Sequence, residues 1–66
     1  MKIVVNGDPA EIPDGRTVGG LLEDLQIGRE RVAVEVGLVI VPKAGYDTHT
    51  LCEGDKVEIV QFVGGG

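Results

Sequence analysis

Serine and tryptophan are missing from this 66-residue chain, and cysteine, histidine, phenylalanine and tyrosine occur once each. Without serine, a Ser-His-Asp arrangement is impossible. The lone Cys52 cannot close an internal disulfide, so the domain must hold together without the cross-links of secreted miniproteins, and a reducing cytoplasm is the expected home. No run approaches the ~18 apolar residues that cross a bilayer, and Lys2-Ile3-Val4-Val5 reads as a strand rather than as a basic flank and apolar leader. A soluble protein is expected. Cations are also scarce: six Lys and Arg stand against eleven Asp and Glu, a formal charge of −5. Nucleic acid and anionic lipid are therefore poor partners, and a protein with a basic docking surface is a better one.

The residues present point to one thin core. A domain of this size buries only ~60% of the surface its unfolded chain exposes. With 42% apolar residues and few aromatics, that core must come from Val, Ile and Leu, which suits a sheet. An enclosed substrate cavity of roughly 300 Å³ or more would hollow it out. An enzyme with its own active site is not expected.

Along the chain, Ile3-Val4-Val5 followed by Asn6-Gly7 reads as a strand entering a two-residue hairpin turn, because both turn positions need positive φ. The return strand runs from Pro9 to Pro13, whose missing backbone donors suit a sheet edge. Asp14-Gly15 is a turn. Thr17 can cap a helix whose apolar stripe is Val18, Leu21, Leu22 and Leu25, with Gly28 as its terminating residue. Gly19-Gly20 weakens the first turn of that helix. Arg29-Glu30-Arg31 is expected as a solvated loop, Val32–Val36 as a strand, Gly37 as a turn and Leu38–Val41 as the hairpin partner. From Lys43 to Thr50 the chain is irregular, with Tyr46 to pin it to the core.

The final strand, Lys56 to Phe62, has two nearly equal apolar faces: Val57, Ile59 and Gln61 on one, Glu58, Val60 and Phe62 on the other. Such a strand is expected to lie centrally and to carry an exposed patch as well. The whole reads as an α+β domain, a four- or five-stranded mixed sheet with one helix packed on one face. Its body spans residues 1–63, and residues 64–66 form a glycine tail.

Internal chemistry is sparse. Cys52 with His49 could make a thiol and its base, but a plain cysteine accounts for it as well, and Asp47, His49 and Cys52 fall short of the four ligands of a structural zinc site. Metal binding is not expected. The glycines of 15–20 lack the Lys-Ser/Thr of a phosphate loop, so the chain is not expected to bind ATP itself. Gly64-Gly65-Gly66 remains: bare backbone able to enter a narrow channel, ending in a carboxylate.

The stretch Leu51-Cys52-Glu53-Gly54-Asp55-Lys56-Val57-Glu58-Ile59-Val60-Gln61-Phe62-Val63-Gly64-Gly65-Gly66 resembles the C-terminus of the ThiS family of thiamine-biosynthesis sulfur carriers. Val5-Asn6-Gly7, Ile12-Pro13-Asp14-Gly15, Thr17-Val18, Leu21-Leu22, Arg31 to Glu35, and Val41-Pro42 before Tyr46 extend the resemblance over nearly the whole chain. Gly19-Gly20 and Val36-Gly37-Leu38 depart from it, where better helix formers and an Asn-Gly-type turn are expected.

The resemblance implies a ubiquitin-like β-grasp fold and a carrier, not a catalyst. A ThiF-like, E1-like adenylyltransferase would use ATP and Mg²⁺ to activate the carboxylate of Gly66. Persulfide sulfur from a cysteine desulfurase would convert it to a thiocarboxylate, and a ThiG-like thiazole synthase would consume that sulfur. On this reading Gly64 and Gly65 tether the reactive end, the free carrier is a monomer, and no cofactor is bound. Val60 and Phe62 are candidates for docking the partners, with a place in the core as the alternative. A carrier for molybdopterin synthesis or another thiolation pathway, and a ubiquitin-like tag or binding module, are the other readings.

Overall fold

The computed structural model describes residues 1–61. Five strands form one mixed sheet: β1 (Lys2–Val5), β2 (Asp8–Glu11), β3 (Val32–Val36), β4 (Val39–Val41) and β5 (Lys56–Gln61), in the order β2-β1-β5-β3-β4. Only β1 and β5 run parallel; every other neighbour is antiparallel. The helix α1 (Val18–Asp24) contributes Val18, Leu21 and Leu22 to a core shared with Ile3, Val32, Val34, Val57 and Ile59 of the sheet.

Local chemistry explains most boundaries. Asn6 and Gly7 both take positive φ, 49° and 84°, and turn β1 into β2, which lies at the sheet edge with Pro9 inside it. Thr17 caps α1 by accepting a hydrogen bond from Gly20 N–H at 3.1 Å. The other end of α1 differs from expectation. The left-handed residue is Gln26, at φ 59°, while Gly28 stays extended at φ −68°. Ile27 N–H donates to Leu22 O and Gln26 N–H to Glu23 O, the paired bonds that close a helix around a left-handed residue. Because the helix closes here, Leu25 falls outside the apolar stripe and is 45% exposed. Arg29–Arg31 forms a short 3₁₀ turn rather than an open loop. The β3–β4 turn uses Gly37 and Leu38, both left-handed, so β4 starts at Val39, one residue later than the sequence suggests.

The crossover, which opens with a short 3₁₀ turn over Lys43–Gly45 rather than being irregular throughout, is tied down at many points. Tyr46 is 1% exposed, its hydroxyl donates to Val32 O at 3.4 Å, and its carbonyl accepts from Gly19 N–H at 2.7 Å. Val18 N–H donates to His49 O, and Leu51 N–H to Arg16 O. Across this junction Arg29 donates two hydrogen bonds to the Asp47 carboxylate, at 2.9 and 3.0 Å. Those bonds hold the Asp47 carboxyl below the usual aspartate range and the Arg29 guanidinium above its ordinary value. The stability the pair contributes is present above the ordinary aspartate value and is lost as pH falls through the lowered one. The Asp47 side chain is exposed and the Arg29 side chain half-buried, so salt screens the pair in part.

This junction accounts for Gly19. A Cβ there would overlap Asp47 Oδ1 and lie 2.8 Å from Arg29 Nη2 and 3.3 Å from Tyr46 O, whereas a Cβ at Gly20 meets chiefly the flexible Arg16 side chain. Gly19→Ala is therefore expected to destabilise the domain by about 1–3 kcal/mol despite its better helix propensity. Gly20→Ala should change stability by less than about 1 kcal/mol. Urea unfolding of the two variants checks the contrast, and equal midpoints would refute it.

Candidate functional site

β5 is the strand that leads toward the chain end, and the sheet holds it from both sides. On one side, β3 pairs along its length, from Val36 opposite Val57 to Val32 opposite Gln61. On the other, β1 pairs with Lys56 and Val57, and Asn6 N–H donates to Val57 O at 2.8 Å. There β1 turns away, and the Asn6 side chain takes over. Its Oδ1 accepts from Ile59 N–H at 2.7 Å and its Nδ2 donates to Ile59 O at 3.2 Å. One amide thus mimics a further strand residue and satisfies both backbone groups of Ile59. The sequence identifies Asn6 as a turn residue but not as this clamp. The only signal is that a turn position open to glycine carries a side chain with both a donor and an acceptor.

Side chains alternate along β5 as its period requires. Val57 and Ile59 enter the core, while Glu58 and Val60 face outward, and Val60 is 55% exposed. Val60 therefore lies on the open face of the sheet and not in the core. Gln61, grouped with Val57 and Ile59 by periodicity, is exposed beside the last core position. Val60 stands opposite Ala33 and Glu58 opposite Glu35, with Ile40 of β4 beyond Glu35. Leu38, in the β3–β4 turn, is a further exposed apolar side chain, whereas Val39, opposite Val36, lies on the core side of the sheet and is exposed at its edge. As expected, β5 lies centrally in the sheet, and its one described outward apolar residue, Val60, is exposed. Phe62, Gly64, Gly65 and Gly66 lie outside the described residues.

The other candidates separate into structural roles. Cys52 is exposed and free, and its N–H donates to Asp55 Oδ2 at 2.8 Å within a turn. The Asp47 carboxylate is engaged by Arg29, and His49 uses its backbone to bond Gly45 and Val18. Among the described residues no group of three His, Cys, Asp or Glu could hold a metal ion. Glu53 accepts from Lys2 N–H at 3.0 Å, and Asp24 stands 3.0 Å from Arg16 Nε. Among the described residues no helix is long and apolar enough to cross a membrane.

The geometry matches that of known proteins. A crystal structure of the thiamine biosynthesis protein ThiS from Geobacter metallireducens superposes with a TM-score of 0.85 at 33% identity, covering 100% of both chains, so the fold is the ubiquitin-like β-grasp. The sulfur carrier protein ThiS of Escherichia coli strain K12 is 30% identical over 66 residues, again covering 100% of both chains. A thiazole synthase of Paramagnetospirillum magneticum is 46% identical over all 66 residues, and the chain spans only 20% of that protein's length. A family model described as the ThiS family matches residues 3–66. Alike in sequence across that span and in the arrangement of its sheet, the chain belongs to the ThiS family.

Proposed function

We propose that this chain is a sulfur carrier of thiamine biosynthesis whose reactive group is the carboxylate of Gly66. The observation that carries the reading is the family match, which spans residues 3–66 and so includes the last strand and the glycine end. A carboxylate is a poor electrophile, because its charge repels nucleophiles and oxide is a poor leaving group. Adenylation removes both obstacles. An E1-like adenylyltransferase, using ATP and Mg²⁺, joins the Gly66 carboxylate to AMP and releases pyrophosphate. The terminal sulfur of a cysteine persulfide, generated by a cysteine desulfurase, then bonds to the acyl carbon as AMP leaves. A second thiol cleaves the resulting acyl disulfide, so that the carrier departs as a thiocarboxylate and the two cysteines as a disulfide. The thiocarboxylate is a soft, ionised nucleophile, as a thiolate is.

The acceptor on this reading is a thiazole synthase. Two thiazole synthases contain a region 46% and 42% identical to the whole of this chain, so in those proteins a domain of this kind is covalently joined to the rest of the chain. Gly64 and Gly65 act as the narrow tether, residues 1–63 as the body that enzymes grip, and Val60 with Phe62 as part of the grip. The carrier itself binds no cofactor and works in the cytoplasm.

Intact-mass spectrometry tests the reading. Incubation with the adenylyltransferase, MgATP, a cysteine desulfurase, cysteine and a reducing thiol is expected to raise the mass by the difference between one sulfur and one oxygen. The Cys52→Ala variant should load equally well, because Cys52 sits in a turn and belongs to no catalytic arrangement. No mass change, or a stable isopeptide with another protein, would overturn the carrier reading.

A further inference from the structure

The amide of Asn6 does more than its turn position requires. Glycine meets the positive φ of 49° there at no steric cost, so the side chain is surplus to the hairpin. Nor does the fold depend on its two bonds to Ile59. They lie at a partly exposed edge and Asn6 is itself exposed, so water could satisfy the same groups and the bonds contribute only modestly to stability. What they change is where β5 is held. Pairing with β1 ends at Val5 opposite Val57, where the Asn6 backbone adds its bond to Val57 O. The side chain carries the attachment on to Ile59, within the last three residues of the strand. On the opposite edge, β3 pairs as far as Gln61. A strand fastened on one edge alone can peel and swing about that edge, whereas one fastened on both has a single direction. Direction matters here because Ile59 is the root from which the chain runs to Gly66, seven positions on and at most ~25 Å of extended chain.

We propose that Asn6 is a positioning residue for the activation of Gly66. By holding both backbone groups of Ile59 it aims β5, and with it the chain end, so that fewer conformations must be lost when the carboxylate is delivered to the adenylation site. Releasing the root frees strand residues whose ordering must then take place on the enzyme, at a cost in rate and not in the grip on the body. The effect belongs to the carrier's own geometry and requires no particular surface of an enzyme. The inference rests on the carrier reading and deepens it by naming a residue, far from the chain end in sequence, that governs delivery of the reactive group.

Single-turnover formation of the acyl-adenylate, with the adenylyltransferase in excess and its concentration varied, separates binding from delivery. Asn6→Gly keeps the turn and loses the clamp. It is expected to lower the maximal rate about tenfold, to leave the half-saturating enzyme concentration within about twofold of wild type, and to melt no more than about 8 °C lower. Asn6→Asp, nearly isosteric, sets an acceptor against Ile59 O in place of the donor and should lower the maximal rate at least about threefold. Thr17→Ala, which loses the cap bond of α1 and touches no bond of β5, is the control for lost stability and should keep the wild-type maximal rate. A wild-type maximal rate in Asn6→Gly overturns the inference and leaves the carrier reading standing. So does a raised half-saturating concentration at unchanged maximal rate, which is what partial unfolding produces. An equal fall in Thr17→Ala overturns it too, because lost stability alone would then slow delivery. Should Asn6→Gly not fold, Asn6→Asp decides by the same outcomes. Absence of acyl-adenylate from the wild type overturns the carrier reading and this inference with it.

Discussion

Deleting Gly66 is expected to cut sulfur loading at least about 100-fold while the domain melts within about a degree of the wild type. The stability half follows from where the core sits: the thirteen buried apolar residues of the described chain run from Ile3 to Ile59. The activity half follows from reach. Loss of one residue draws the carboxylate back by up to ~3.5 Å, and a misplacement of ~1 Å at a reacting centre can cost about 10²-fold in rate. A loss of at least about 100-fold is therefore expected, with no gain from raising the carrier concentration. Intact mass after timed incubation measures the loading, and circular dichroism measures the melt. Loading at the wild-type rate would remove Gly66 from the reaction.

Tyr46→Ala has the largest expected effect on the fold. Tyr46 is the largest fully buried side chain of the described residues, and it joins the crossover to the start of β3 and to the first turn of α1. Truncating a buried aromatic costs about 3–5 kcal/mol. A domain of this length has a total stability of about 3–10 kcal/mol, at about 0.05–0.15 kcal/mol per residue. The variant should therefore melt about 15–30 °C lower or be largely unfolded at room temperature. Tyr46→Phe removes only a long hydrogen bond, 3.4 Å to Val32 O, and should cost less than about 1.5 kcal/mol. Thermal melts of the pair check the ordering. A Tyr46→Ala variant that melts within a few degrees of the wild type would show that the crossover is not pinned there.

The parts of the fold governed by neighbours along the chain were legible in the sequence. Asn6-Gly7, the Thr17 cap, the Val18, Leu21 and Leu22 stripe, and the strands around Val34 and Val57 each follow from local rules, and each is present. Features decided across the chain were not. Gly19 looks like a flaw in a helix until Asp47, Arg29 and Tyr46 are brought against it. Gln26 takes the left-handed position because the helix closes on Leu22 and Glu23, although Gly28 is chemically better suited. The candidate site divides in the same way. Periodicity identified the two apolar faces of β5, but only register could set Glu35 against Glu58 or bring Asn6 to Ile59.

The middle place of β5 also governs how the domain comes into being. The β1–β2 hairpin and the β3–β4 hairpin flank it on opposite sides, so the sheet is two separate pieces until β5 enters between them. Its clamp joins positions 53 residues apart, nearly the whole chain. Pairings this far apart in sequence are slow to close, so the seating of β5 is expected to come late in folding. A copy in which β5 is not seated therefore has neither the Glu35–Glu58 register nor the Asn6 clamp on Ile59, so the open face around Val60 exists only in the finished sheet.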